Sequence, residues 1–259
     1  MYKNKNKIVL QLKKVSKTYH LGEQVIRALN KVDFVAKEAD FVSIMGPSGS
    51  GKSTFLQVAS MLAHPSKGQI FLKGQDVTSY NEIERARLRN KEIGFIFQQF
   101  NLLKKTSALD NVALPLVYAG IKEREKKRRA KEMLERVGLG DRLHNTPAQL
   151  SGGQQQRVAI ARALINDPSI IFADEPTGNL DSKSGKEIQK ILKDLNKEGK
   201  TIILVTHEIY VANITRRQVE LMDGKIVRDN GYIKDQKSVK PAGRTKRKKR
   251  ARSLPKVKK

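Results

Sequence analysis

Residues 46–53 read Gly-Pro-Ser-Gly-Ser-Gly-Lys-Ser, a match to G-x-x-x-x-G-K-[ST], and the pattern on either side leaves little freedom in how the chain can fold. A short apolar run at 41–45 leads directly into this loop, and a helical pattern over 52–63 leaves it, stopped before Pro65. The expectation is strand, glycine loop, helix. Glycines let successive backbone N–H groups turn inward around phosphate oxygens, and a helix beginning near Lys52 adds its unsatisfied amides and positive dipole end. Gly46, Pro47, Ser48, Gly49, Ser50 and Gly51 form the cradle, and Lys52 reaches the β and γ phosphates of a nucleotide. The Ser53 hydroxyl is placed for Mg²⁺, and Thr54 for the α phosphate.

Two further compact runs, 170–173 and 201–205, are rich in Ile and Val and each follows a helix-like segment, as buried parallel strands do. A βαβ core follows. Ile8, Leu10 and Leu12 alternate with polar neighbours, and 69–72 resumes an extended pattern after Pro65 and Gly68, so strands of a flanking sheet are expected there. Between 101 and 162 the pattern turns helical, with candidates at 109–118, 122–137 and 153–165, which reads as a helical lobe inserted into the core.

The ends of the core strands carry the chemistry. Asp174 and Glu175 close an apolar run, where uncompensated charge is expensive unless a cation is present. Asp174 is the expected Mg²⁺ ligand, direct or through water, and Glu175 is placed to orient or deprotonate an attacking water. His207 follows the 201–205 run through Thr206 and is assigned a hydrogen bond to the γ phosphate and that water. Gln98 closes the 93–97 run and can meet Mg²⁺ or water.

Composition mainly excludes. No stretch approaches the ~20 apolar residues needed to cross a bilayer, and no convincing signal peptide precedes the first strand. With no cysteine and four scattered histidines there is no disulfide, thiolate zinc site or histidine metal cluster to expect, and a reducing cytosol is compatible. The net charge of +26 is concentrated: from Lys234 onward there are thirteen Lys/Arg against one Asp. This 234–259 tail lacks any means of burying apolar area and is expected to be disordered. Anionic lipid is a candidate partner for it; specific nucleic-acid recognition is not expected, because no aromatic residue interleaves the charges. The basic stretch 122–131, interleaved with Glu123 and Glu125, reads as a solvated helix face.

Residues 150–157, Leu-Ser-Gly-Gly-Gln-Gln-Gln-Arg, open another helix. Ser151 can cap it, and Gly152 and Gly153 expose amides at its positive end, a second anion-binding surface. On Ser-Gly-Gly alone a plain glycine-rich helix cap is also a reasonable reading.

The ordered set of phosphate loop, Gln98, Leu-Ser-Gly-Gly-Gln, Asp174-Glu175, the 178–181 Gly-Asn-Leu-Asp segment and Thr206-His207 resembles the ATP-binding cassette (ABC) ATPases over nearly all of 7–230. The resemblance implies an α/β fold of the P-loop nucleoside triphosphatase class: a RecA-like, mostly parallel core with an antiparallel β subdomain and a helical subdomain at about 99–165, all within 1–233. It implies ATP and Mg²⁺ as ligands and two cassettes paired head to tail, in the simplest case identical copies. Each ATP would lie between one phosphate loop and Ser151, Gly152, Gly153 and Gln154 of the other cassette. Tyr19 would stack on adenine, and Asp181 would communicate between the paired sites.

Within the family, 93–103 and 150–164 most resemble the ATPase subunits of macrolide-export and lipoprotein-release systems. The sequence departs from their pattern at 57–60, Gln-Val-Ala-Ser, and at Glu208, where Asp is usual. The implied protein is a cytoplasmic ATPase, peripheral on the inner face of the cell membrane, that drives a separately encoded permease by ATP-dependent closure and hydrolysis. A cell-division-type ATPase acting mechanically on a membrane partner shares these features, and a nucleic-acid- or ribosome-associated cassette is the more distant alternative.

Overall fold

A computed structural model describes residues 7–231; the basic tail at 234–259 lies outside the described residues. Two long strands open the chain, β1 (Ile8–Leu21) and β2 (Gln24–Lys37), joined by a tight turn at Gly22 and paired antiparallel with several register shifts. They are followed by β3 (Phe41–Met45), the glycine loop and α1 (Lys52–Ala59). The helix is shorter than the 52–63 pattern suggests. Its last turn is stopped by Met61 in a left-handed conformation, whose carbonyl oxygen accepts from the Arg89 Nη1 at 2.8 Å and from the Arg85 Nη2 at 2.5 Å. Two guanidinium groups thus satisfy the carbonyl end that a longer helix would otherwise have covered.

Both arginines belong to α2 (Glu82–Glu92), which follows β4 (Lys67–Leu72) and β5 (Gln75–Asp76). The α2 sequence is nearly all polar, so no hydrophobic period announces a helix there. A capping box fixes it: Asn81 accepts from the Glu84 amide at 3.0 Å while Glu84 accepts from the Asn81 amide at 2.9 Å. Then come β6 (Ile93–Ile96), α3 (Ala108–Tyr118), α4 (Glu123–Arg136) and α5 (Gly152–Leu164), in good register with the three expected helices. The chain continues through β7 (Ile170–Asp174), α6 (Ser182–Lys197), β8 (Thr201–Val205), α7 (Ile209–Ala212), β9 (Arg217–Met222) and β10 (Lys225–Asp229).

The strands form two sheets. A four-stranded antiparallel sheet has the order β2-β1-β4-β5, and a six-stranded sheet has the order β10-β9-β3-β8-β7-β6, parallel except for β10. Alternation along the parallel strands divides the core in two. Val42, Ile44, Ile170, Phe172, Ile203 and Val205 face the antiparallel sheet and α1, while Phe41, Ile171, Ala173, Ile202 and Leu204 face α3, α5 and α6. Covered on both faces, these strands read as continuous apolar runs. The α/β architecture expected from the sequence is therefore the observed one.

Candidate active site

The loops leaving the carboxyl ends of β3, β6, β7 and β8 gather along one edge of the parallel sheet, where open α/β sheets place their ligands. At β3 the loop is shaped by neighbours as much as by phosphate chemistry. Gly46 has φ +150° and a Cβ there would lie 2.1 Å from the Leu221 carbonyl oxygen of β9; at Gly51, φ +105°, it would lie 2.4 Å from that of Ala28 in β2. The Lys52 ammonium donates to the carbonyls of Gly46 at 2.9 Å and Pro47 at 2.8 Å, arching over the loop. Pro47, Ser48, Gly49 and Ser53 are exposed, Thr54 is half-buried, and Ser50 is buried with its hydroxyl unpartnered.

Strand order places β8 between β3 and β7, so His207 emerges beside Glu175. The His207 Nδ1 lies 2.5 Å from Glu175 Oε1. Glu175 sits in the left-handed region at φ +45°, pinned by its own amide donating to the Val205 carbonyl at 2.9 Å. Non-glycine residues hold that conformation only when their surroundings impose it, and such positions cluster at functional sites. Burial and the adjacent Glu175 charge push the Asp174 carboxyl above the usual carboxylate range, opposed by the Lys52 ammonium. A carboxylate in that setting favours a cation.

The oxygen donors Ser53, Asp174 and Gln98 fit a hard divalent ion such as Mg²⁺. Among the described residues no group of three His, Cys, Asp or Glu is placed to hold a metal ion.

The remaining expected residues lie at the starts of α5 and α6 and on β1. Ser151 caps α5: its hydroxyl accepts from the Gln154 amide at 3.3 Å, and Gln154 Oε1 accepts from the Ser151 amide at 2.9 Å. The reason for glycine beside it is sharper than exposed amides alone. A Cβ at Gly153 would lie 2.7 Å from Ser184 Oγ and 2.9 Å from its Cβ, so α5 and α6 approach through that gap; at Gly152 the nearest atom is the Leu180 side chain at 3.4 Å. Asp181 caps α6, accepting from the amides of Lys183 and Ser184 at 3.0 Å and from the Ser184 hydroxyl at 2.6 Å, which holds its carboxyl below the usual range. Tyr19 lies on β1 opposite Ile26, with the Lys17 ammonium 5.1 Å from its ring centre and its hydroxyl 3.4 Å from Gln57 Oε1.

Three residues that organise the site were not singled out from the sequence. Buried Gln156 donates to the carbonyls of Pro176 at 2.7 Å and Phe97 at 3.4 Å, tying the loops after β7 and β6 to α5. Arg162 donates to the carbonyls of Asn101 at 2.5 Å and Phe100 at 2.8 Å, two residues with positive φ, and burial lowers its pKa. Asn179 pairs with Gln98. Gln156 and Asn179 lie within the 150–157 and 178–181 motifs, but their partners are backbone groups or distant in sequence, so their individual roles were not legible; for Arg162 only its helical placement was available.

Residues 29–178 match the family described as ABC transporter. This chain belongs to that family. An ABC transporter ATP-binding protein of Thermotoga maritima is 52% identical over 220 residues, covering 85% of this chain and 94% of the relative. The macrolide export ATP-binding/permease protein MacB of Syntrophobacter fumaroxidans is 48% identical over 237 residues, covering 90% of this chain but 33% of MacB.

A dimeric structure of the ATP-binding cassette MJ0796, in a post-hydrolysis state bound to ADP and Pi, superposes with a TM-score of 0.80 at 46% identity, covering 87% of this chain and 99% of the other. The ABC cassette reading, with its MacB-like affinity, is thereby established. This ABC protein binds and hydrolyses ATP as the ATPase subunit of a transporter. No helix among its described residues is long and apolar enough to cross a membrane.

Proposed function

We propose that this ABC subunit works as a head-to-tail pair in which Glu175 and His207 direct water onto the γ phosphate held by the loop of the same chain. The observation that carries this reading is the Glu175–His207 contact at 2.5 Å on the sheet edge shared with Lys52. Glu175 is the acceptor for the proton of the water, and His207, bonded to it, fixes its direction and contacts the γ phosphate. Lys52 exchanges its bonds to Gly46 and Pro47 for the β and γ phosphates, while Thr54 and the α1 amides hold the α phosphate. Ser53, Asp174 and Gln98 would hold Mg²⁺, whose charge would offset that developing on the phosphates. Tyr19 supports adenine, Ser151, Gly152, Gly153 and Gln154 meet the partner's γ phosphate, and Asp181 relays closure between sites.

In a Glu175→Gln variant the amide no longer accepts the proton, so hydrolysis falls by about 10²- to 10⁴-fold. ATP-dependent dimers should then accumulate on size exclusion with light scattering. Hydrolysis at the parent rate would remove Glu175 from this role.

The domain reading adopted with it is one cassette over 1–233, its helical part at about 99–165, and an appended tail at 234–259. The membrane partner is a separately encoded permease, and the subunit works from the inner face of the cell membrane. A groove of about 1110 Å³ between α2, α3 and β6 is its docking place. Phe95, Phe97, Leu114 and Tyr118 supply apolar surface, while Arg87, Arg89, Lys91, Arg129 and Arg162 face a single carboxylate, Glu82. An amphipathic cytoplasmic helix with acidic flanks fits that surface. The basic tail adds attraction to anionic lipid, worth about 1 kcal/mol per Lys or Arg near the surface.

A further inference from the structure

Gln98 and the loop after β7 are clasped from three sides. Asn179 Nδ2 donates to the Gln98 carbonyl at 3.0 Å, and Gln98 Nε2 donates to Asn179 Oδ1 at 3.4 Å. A Cβ at Gly178 would lie 2.8 Å from Gln98 Nε2, 3.4 Å from its Cδ and 3.5 Å from its Cγ. Gly178 is not among the glycines with positive φ, so no backbone conformation demands glycine there. A Cβ there meets the end of the Gln98 side chain, which would have to swing aside to admit it. From below, Gln156 holds the backbones of both loops through Phe97 and Pro176, which leaves the Gln98 side chain as the part still to be oriented.

We infer that Asn179, with Gly178 beside it, is a positioning residue for Gln98. An amide whose nitrogen is engaged by Asn179 turns its carbonyl oxygen the other way, and oxygen is the atom a hard divalent cation or a donating water requires. Asn179 lies two residues before the Asp181 cap of α6, so the start of that helix and the direction of the Gln98 oxygen are set by one short loop. The inference rests on the reading of Gln98 given above.

The test pairs Asn179→Leu, which removes both hydrogen bonds, with Gly178→Ala, which displaces the Gln98 amide while keeping an allowed backbone; each is made alone and with Gln98→Leu. In the nucleotide-free protein, the side-chain amide resonances of Gln98, identified by their loss in Gln98→Leu, move to the positions of an unconstrained glutamine in either variant. Loss of about 1.4 kcal/mol of orientation lowers kcat about tenfold, with the ATP KM within about twofold of the parent and the half-saturating Mg²⁺ concentration raised.

In the Gln98→Leu background neither substitution lowers kcat further. Additive losses there, unmoved Gln98 resonances, or an unchanged kcat in both single variants overturn the inference. A Gln98→Leu protein with parental kcat and Mg²⁺ dependence removes the reading of Gln98 itself, and the inference with it; thermal melting of every variant separates these outcomes from loss of fold.

Discussion

Asp174 and Glu175 are adjacent carboxylates with different constraints. Asp174 ends a regular strand, and burial beside Glu175 raises its pKa; Glu175 is twisted into a left-handed conformation and pinned to β8. The fold therefore favours neutral Asp174, a contribution that is full in acid and is lost as pH rises through the folded pKa. Asp174→Asn should raise the melting temperature of the nucleotide-free protein at neutral pH and abolish ATP hydrolysis. The thermal advantage should vanish as pH falls towards the ordinary value of 3.8, checked by calorimetry across pH. The placement of both carboxylates and His207 was legible in the sequence because each follows within two residues of an apolar run. Their contact was not, since it depends on β8 lying next to β7.

Helix ends carry much of the organisation at the next scale. The caps at Ser151 and Asp181 follow local rules and could be read locally. The approach of α5 to α6 is not local: it passes through Gly153 and Ser184, residues on different helices. Gly153→Ala should destabilise the protein by about 1–3 kcal/mol through overpacking, lowering the melting temperature by about 2–4 °C per kcal/mol. Adding Ser184→Gly should recover part of the loss despite that glycine's own helix cost, a non-additive result read from melting curves. Failure of the second change to help would mean that the helices separate without strain. The early stop of α1 and the existence of α2 belong here as well. The stop depends on Arg85 and Arg89 reaching the Met61 carbonyl across more than twenty residues, and α2 on its Asn81/Glu84 capping box; no hydrophobic period announces either.

Two basic features of the whole molecule, the groove and the tail, have separate tests. Arg87→Glu combined with Lys91→Glu should leave ATP turnover of the isolated subunit within about twofold, as surface changes remote from the β-strand ends do. The same pair should weaken co-purification with its permease at least tenfold, an effect of about 1.4 kcal/mol. Removing 234–259 should instead lower sedimentation with phosphatidylserine vesicles, most strongly at low salt, with hydrolysis retained. Equal sedimentation of both proteins would dismiss the lipid contact. The sequence by itself determined the phosphate loop between its strand and helix, the buried parallel runs, the helical insertion and the cassette family, because each is written in local spacing or in motif order. Tertiary structure decided the pairing of His207 with Glu175, the fit of Gly153 to Ser184 and the clasp of Asn179 on Gln98. Those contacts join segments whose separation along the chain carries no period, and they exist only once strand order and helix packing have brought them within hydrogen-bonding distance.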